Sequence, residues 1–131
     1  QGVQAMRNNG QVSNTERTFP AHQRLISATD TQGKILYCND EFVAIKDINP
    51  QAPTHVLIVP KTHIAKTSEL TETSAPVVAH AVLMANRLAQ QCGVADTGYR
   101  LVLNCGPQAG QSVAHLHLHL LGGRSMRWPP G

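Results

Sequence analysis

The sequence predicts an α+β fold, in which five strands form a mostly antiparallel sheet that carries one long helix and a short N-terminal helix. Two patterns favour this fold. Several short apolar segments are separated by residues that favour turns, which is typical of strands. One segment, from about Thr73 to Cys92, instead places apolar residues at steps of three and four, as an amphipathic helix does. The chain has 131 residues, which is the usual length of one domain.

The beginning of the chain differs in composition from the rest. Residues 1–20 are polar and have no apolar period, so we expect a tail there, followed by a single domain over residues 21–131. Ala21 to Thr29 can form the short helix. The longer helix has Ser74 as a plausible N-cap, Pro76 in its first turn and Gly93 as its stop.

Four apolar segments bounded by turn residues or prolines predict strands: Lys34–Cys38, Phe42–Lys46, His55–Val59 and Tyr99–Asn104. The first two form a hairpin around the turn at Asn39. We expect loops over Asn49–Pro53 and Cys105–Ser112, and an irregular segment over Ile64–Leu70.

The fifth predicted strand carries reactive side chains. In His115–Leu121, three histidines alternate with leucines, so a strand would place the histidines on one face and the leucines on the other. Gly110, Gln111 and Ser112 precede this segment and offer amide and hydroxyl groups. The leucine face can enter a core, and the histidine face has to meet something polar.

Three kinds of role are open to these histidines. A purely structural role is disfavoured, because three buried imidazoles cost free energy unless each finds a partner. A single metal ion cannot easily bind all of them, since His115 and His119 would lie about 13 Å apart along a strand. A metal site would need a further ligand such as His55, and we expect no metal and no required cofactor. Phosphoryl chemistry remains, with an imidazole as nucleophile and Gly110, Gln111 and Ser112 donating to phosphate.

Composition limits the classes of partner. The formal net charge is +3 and the basic residues are scattered, so we expect no nucleic-acid groove. No apolar run approaches the about 18 residues of a membrane span. The three cysteines include no Cys-x-x-Cys pair, which fits a reducing compartment. We therefore expect a cytoplasmic location, or a nuclear one. His63, His80 and Lys61 are interpreted as surface residues.

The motif His115-Leu-His117-Leu-His119-Leu-Leu resembles that of the histidine triad (HIT) superfamily. Three further segments resemble its histidine triad nucleotide-binding branch: Asp47–His55, Val59–Ile64 and Gly122–Gly131. The resemblance runs from about Lys34 to the C-terminus. It implies a HIT-like fold and a purine nucleoside phosphoramidase, which hydrolyses the P–N bond of adenosine or guanosine 5′-phosphoramidates.

The resemblance also implies roles for individual residues. His117 would be the nucleophile that forms a nucleotidyl-histidine intermediate, His119 would contact the phosphate, and His115 would support His117 through its carbonyl. His55 would be a fourth histidine behind the triad, and Ser112 would lie near the leaving group. The other nucleotide-binding residues would be Asp47 at the ribose, Ile45 and Ile48 at the base, and Asn104, Gly110, Gln111 and Val113 at the phosphate.

The family resemblance further implies a homodimer, formed through the long helix and the Tyr99–Asn104 strand, with Trp128 reaching the active site of the partner. AMP or GMP would be the bound product. Two alternatives remain open at this point. One is a dinucleoside polyphosphate hydrolase of the same superfamily, and the other is a nucleotide-binding regulatory protein whose hydrolase activity is incidental.

Overall fold

The computed structural model describes residues 35–131. The predicted tail and the predicted helix at Ala21–Thr29 lie outside the described residues. The described part contains one long helix and five strands: β1 (Ile35–Cys38), β2 (Phe42–Lys46), β3 (Thr54–Pro60), α1 (Pro76–Gln91), β4 (Tyr99–Val102) and β5 (Leu118–Gly122). The strands form one sheet in the order β1-β2-β3-β5-β4, and all neighbouring pairs are antiparallel. The predicted α+β fold is confirmed.

The hairpin between β1 and β2 turns at Asn39. Its side-chain oxygen accepts hydrogen bonds from the backbone N–H groups of Glu41, at 2.8 Å, and Phe42, at 2.7 Å. Asparagine favours such turns because its side chain can bond to the backbone a few residues along the chain. The predicted hairpin is therefore present and has the predicted turn.

The two faces of the sheet have different roles. On β3, Val56 and Ile58 point to the face covered by α1, where they join Leu118 and Leu120 of β5 in the main core. From α1, this core receives Ala81, Met84, Ala85, Leu88 and Ala89. The pleat sends alternate residues to the opposite face, where His119 pairs with Leu57. The sheet thus has its helix on one side and a histidine on the other.

The helix α1 begins at Pro76, about three residues later than the sequence predicts. Ala75 occupies the N-cap position, and Ser74 instead takes part in a turn in which its hydroxyl accepts from the N–H of Thr71 at 2.9 Å. The predicted stop at Gly93 is correct. Gly93 has a φ of 76°, and the N–H of Val94 donates to the carbonyl of Ala89 at 2.9 Å, as in a Schellman motif. None of the helices in residues 35–131 combines the length and the apolar character needed to cross a membrane.

Two predicted strand boundaries are wrong. β4 ends at Val102 instead of Asn104, and β5 begins at Leu118 instead of His115. The last bridge between them joins Val102 to His119. Before that point, the N–H of Leu116 donates to the carbonyl of Ile64 at 2.6 Å, so the chain is held by the segment after β3 and not by a neighbouring strand. His115 and His117 therefore precede the strand that carries His119.

Candidate active site

The structure brings together the four histidines that the sequence singled out. His55 Nε2 lies 3.0 Å from His119 Nδ1, and the ring centroids of His119 and His117 are 5.0 Å apart. His117 Nδ1 lies 2.7 Å from the carbonyl oxygen of His115. We call His55, His119, His117 and His115, in this spatial order, the histidine row. Its continuity follows from the antiparallel pairing of β3 with β5, which places His55 and His119 on the same sheet face.

The backbone determines which nitrogen of His117 carries the proton. A carbonyl oxygen can only accept, so Nδ1 of His117 has to donate its hydrogen to His115. In the neutral ring the lone pair is then on Nε2. His117 is half-buried, and it is fixed in the tautomer that can attack an electrophile through Nε2.

The same reasoning fixes the other end of the row. The backbone N–H of Gln51 donates to Nδ1 of His55 at 3.0 Å, so the proton of neutral His55 is on Nε2. That hydrogen faces Nδ1 of His119 at 3.0 Å and the Asp47 carboxylate at 3.4 Å. His119 accepts through Nδ1, and its own proton is therefore on Nε2. His119 can donate this hydrogen to an anionic ligand, while His117 beside it offers a lone pair.

Burial disfavours the charged form of three histidines in the row, His119, His55 and His115. Desolvation, together with the nearby His117 and His55, lowers the pKa of His119 to about 4, although Asp47 opposes the change. Burial also lowers the pKa of His55, again against Asp47. The pKa of His115 is lowered mainly by burial, and the hydrogen bond to the Pro60 carbonyl acts in the opposite direction. Near neutral pH these three rings are therefore uncharged, so their close contacts do not bring positive charges together.

The predicted ribose and base residues lie at the His55 end of the row. Asp47 directs one carboxylate oxygen to His55, and its other oxygen accepts the backbone N–H of Asn49 at 2.8 Å. Ile45 is buried with 2% exposure, whereas Ile48 is 48% exposed. Ile48 therefore offers an apolar surface, and the neighbouring Asp47 carboxylate offers a hydrogen-bond acceptor, to the same ligand.

The predicted phosphate residues lie on the loop that leads into the row. Gly110 has a φ of 90°, a conformation that suits glycine. The side-chain amide of Gln111 donates to the carbonyls of Ala65, at 2.7 Å, and Val113, at 3.0 Å, and its oxygen accepts from the N–H of Gly106. Gln111 thus braces the loop with its side chain. Ser112 and Val113 are exposed, and together with Gln111 they line one side of a cavity of about 340 Å³.

Two further predicted site residues, Asn104 and Trp128, lie in the segments that follow β4 and β5. Asn104 is half-buried and follows β4 by two residues. Trp128 is 82% exposed, and a hydrogen bond of 3.0 Å from Arg100 to the carbonyl of Arg127 holds the segment before it.

Cys105 is also exposed, and hydrogen bonds from the side chains of Thr67 and Ser68 lower the pKa of its thiol to about 7.

One group of described residues is able to hold a metal ion. Ligand atoms of Asp47, His55 and His119 all lie within 4.8 Å of one another. Two imidazoles and a carboxylate are a donor set that zinc accepts, with a fourth position left for water. A metal would have to displace the proton of His55 Nε2. The sequence prediction named His55 as a possible further ligand but expected no functional metal, and that expectation stays a prediction.

One residue contradicts its predicted surroundings, and two others make contacts that the sequence does not indicate. Lys61 was expected to face solvent, which is wrong, because it is only 8% exposed. His63 is exposed, but its Nδ1 lies 2.9 Å from Nδ1 of His115. Arg124 donates from Nε to the carbonyl of Gln51 at 2.9 Å and so supports the turn that fixes His55. Both His63 and Arg124 act across long sequence separations, which local patterns do not indicate.

Comparisons with known proteins find relatives of this chain in both sequence and fold. A model of the HIT domain family matches residues 28–126. An uncharacterised HIT-like protein of Synechococcus elongatus is 47% identical over 97 residues, covering 74% of this chain and 84% of the relative. A 14 kDa zinc-binding protein of Zea mays is 46% identical over 99 residues, covering 74% of this chain and 77% of the relative. The crystal structure of a HIT family hydrolase from Legionella pneumophila has a TM-score of 0.76 and 43% identity, covering 81% of this chain and 95% of the other.

Proposed function

This chain belongs to the HIT domain family, and we propose that it is a purine nucleoside phosphoramidase of the histidine triad nucleotide-binding branch. It hydrolyses the P–N bond of adenosine or guanosine 5′-phosphoramidates and releases AMP or GMP. The observation that carries the proposal is the hydrogen bond of 2.7 Å from His117 Nδ1 to the His115 carbonyl, which leaves the Nε2 lone pair available. The fold it shares with a HIT family hydrolase supports a hydrolytic reaction.

The first chemical step transfers the nucleotide to the enzyme. The Nε2 lone pair of His117 attacks phosphorus, the N–P bond to the imidazole forms, and the P–N bond to the amine breaks. The departing amine takes up a proton from water through the hydroxyl of Ser112, and the hydroxide that remains is neutralised by the proton released in the second step. His119 donates its Nε2 hydrogen to a nonbridging oxygen and so stabilises the charge in the transition state.

The second step returns the enzyme to its starting state. A water molecule attacks phosphorus, the bond to His117 breaks, and the nucleoside monophosphate leaves. The water loses a proton to solvent, and His117 recovers its lone pair on Nε2. His55 keeps Nδ1 of His119 occupied throughout, at 3.0 Å, so that His119 always presents a donor to the phosphate. No step requires a cofactor.

The substrate is bound along the histidine row. Asp47 accepts hydrogen bonds from the ribose hydroxyls, and Ile45 and Ile48 provide the apolar surface for the purine. The loop from Gly110 to Val113, with Asn104 beside it, surrounds the phosphate. We include a homodimer in the proposal. β4 is an edge strand of the described sheet, and Leu83 on α1 is 61% exposed, so both elements have surface that a second copy can cover, with Trp128 extending to its site.

Zinc is a second candidate ligand of the same site. The ligand atoms of Asp47, His55 and His119 converge within 4.8 Å, and a relative from Zea mays is named a zinc-binding protein. In this alternative the ion occupies the ribose end of the row and takes the Asp47 carboxylate, which would otherwise accept from the ribose hydroxyls. Zinc would then compete with hydrolysis and would not assist it.

The test is hydrolysis of adenosine 5′-phosphoramidate in excess chelator, with AMP release followed by chromatography. We expect turnover by the wild-type protein and a loss of at least about a thousandfold in His117→Asn, because the nucleophile is missing. His80→Asn is the matched control, since His80 is an exposed histidine on α1 that pairs with Glu41 at 2.8 Å.

Two results would contradict the proposal. One is a wild-type protein that stays inactive in chelator and becomes active with zinc. The other is a His117→Asn variant that releases AMP at the wild-type rate. Calorimetry with AMP adds a check on binding, because His117→Asn should keep its affinity for AMP if the residue acts in chemistry.

A further inference from the structure

His63 makes a contact that its exposed position does not suggest. It follows β3 by three residues, and its Nδ1 lies 2.9 Å from Nδ1 of the buried His115, with the two ring centroids 5.0 Å apart. We propose that His63 is a positioning residue, which holds His115 so that its carbonyl keeps His117 in the reactive tautomer. This inference rests on the proposed function of His117 as the nucleophile.

The hydrogen-bond partners determine the direction of the contact. His115 Nε2 lies 2.7 Å from the carbonyl oxygen of Pro60, to which it has to donate. The other nitrogen of neutral His115, Nδ1, is therefore an acceptor, and His63 donates its Nδ1 hydrogen to it. His115 is only 4% exposed, so a polar nitrogen that lost its partner there would carry a desolvation cost.

Three hydrogen bonds together fasten two chain segments. His63 and Pro60 bind the two nitrogens of the His115 ring, and the N–H of Leu116 donates to the carbonyl of Ile64 at 2.6 Å. The 60–64 segment therefore holds the peptide between His115 and Leu116 in two ways, through the His115 ring and through the backbone N–H of Leu116. That peptide carries the oxygen that accepts from His117, so its orientation decides how well Nδ1 of His117 is held.

A proton relay through His63 is excluded by the same geometry. A proton that passed from His63 to Nδ1 of His115 would have to leave through Nε2. That nitrogen faces the Pro60 carbonyl, which accepts a hydrogen bond but does not accept the proton itself. The contribution of His63 is therefore orientation, and not the delivery of a proton to the site.

Two substitutions of similar shape separate the hydrogen bond from the side-chain volume. His63→Asn can place an amide N–H close to the position of Nδ1, whereas His63→Leu has the same branching and no donor. We expect kcat for adenosine 5′-phosphoramidate to fall by about tenfold in His63→Leu, with KM changed less than about twofold, since about 1.4 kcal/mol in orienting the nucleophile is a factor of ten. His63→Asn should stay within about threefold of the wild type. His80→Leu is the control and should leave both constants unchanged.

A second measurement does not depend on turnover. The ¹⁵N resonances of the His117 ring distinguish a proton on Nδ1 from a proton on Nε2. We expect the Nδ1–H tautomer in the wild type and in His63→Asn, and a mixture of tautomers in His63→Leu. Thermal unfolding of the two His63 variants, followed by circular dichroism, should show that both are folded.

The outcomes separate this inference from the proposed function. If no variant hydrolyses the phosphoramidate but the His117 tautomer changes in His63→Leu, the proposed function fails and the positioning role stands. The positioning role is overturned if His63→Leu has the wild-type tautomer and the wild-type kcat. It is also overturned if Asn and Leu lower kcat equally, because the effect then comes from the lost ring and not from the donor.

Discussion

The lowered pKa of His119 makes folding stability depend on pH in a defined direction. His119 has an ordinary value of 6.5 and a folded value of about 4, caused first by desolvation. Between these values the unfolded chain binds a proton that the folded chain does not, so acid favours unfolding. The stability is fully present above pH 6.5 and is lost as the pH falls toward about 4.

The size of the effect follows from the same two values. Lowering a pKa from 6.5 to about 4 corresponds to at most about 3.4 kcal/mol. Without solvent screening, the free energy of unfolding at about pH 4.5 would be about 2.5 kcal/mol lower than at neutral pH. Because His119 is only half-buried, solvent screens the charge, and we expect about 1.5 kcal/mol.

His119→Asn isolates this contribution. The asparagine oxygen can take the place of Nδ1 and accept the Nε2 hydrogen of His55, but it does not titrate in this range. Urea unfolding of both proteins at several pH values between about 4.5 and 7.5 gives the free energy of unfolding for each. The wild type should lose about 1.5 kcal/mol more than the variant across this range. Equal losses in the two proteins, or a wild type that gains stability in acid, would refute the reasoning.

Three further predictions concern the support of the site. Gly122→Ala places a Cβ 2.9 Å from that of Val94, so the free energy of unfolding should fall by about 1–3 kcal/mol. Adding Val94→Ala should restore most of this loss, and a Gly122→Ala variant of unchanged stability would contradict the close packing. Arg124→Met removes the 2.9 Å bond to the Gln51 carbonyl, and kcat should fall by about threefold without loss of the folded state, which AMP release and circular dichroism would measure. Asp47→Asn should weaken zinc binding in calorimetry by at least about tenfold; an unchanged affinity would place the ion elsewhere.

Much of the fold could be predicted because its signals are local. The hairpin at Asn39 and the end of α1 at Gly93 depend on side-chain and backbone preferences within a few residues. The alternation of histidine and leucine correctly predicts that Leu118 and Leu120 enter the core while His119 faces the other way.

The rest of the site depends on contacts that are distant in sequence. The predicted beginning of β5 is wrong because the N–H of Leu116 bonds to the carbonyl of Ile64 and not to a neighbouring strand. The alternation of histidine and leucine continues through this segment and so does not reveal the change. His63 was interpreted as a surface residue because nothing near it in the sequence indicates a partner 52 positions away. The tautomers of His55 and His119 likewise follow from the backbone N–H of Gln51, which donates to Nδ1 of His55. This contact depends on the turn that brings the N–H to the His55 ring.

The proposed mechanism requires a covalent bond between His117 and the nucleotide. Mass spectrometry of the protein quenched in acid-free denaturant during turnover of adenosine 5′-phosphoramidate tests this directly. We expect the mass of one adenylyl group on the peptide that contains His117, and none on that peptide in His117→Asn. An adduct on the exposed Cys105 instead, or hydrolysis at full rate with no adduct on His117 at any time, would contradict the mechanism.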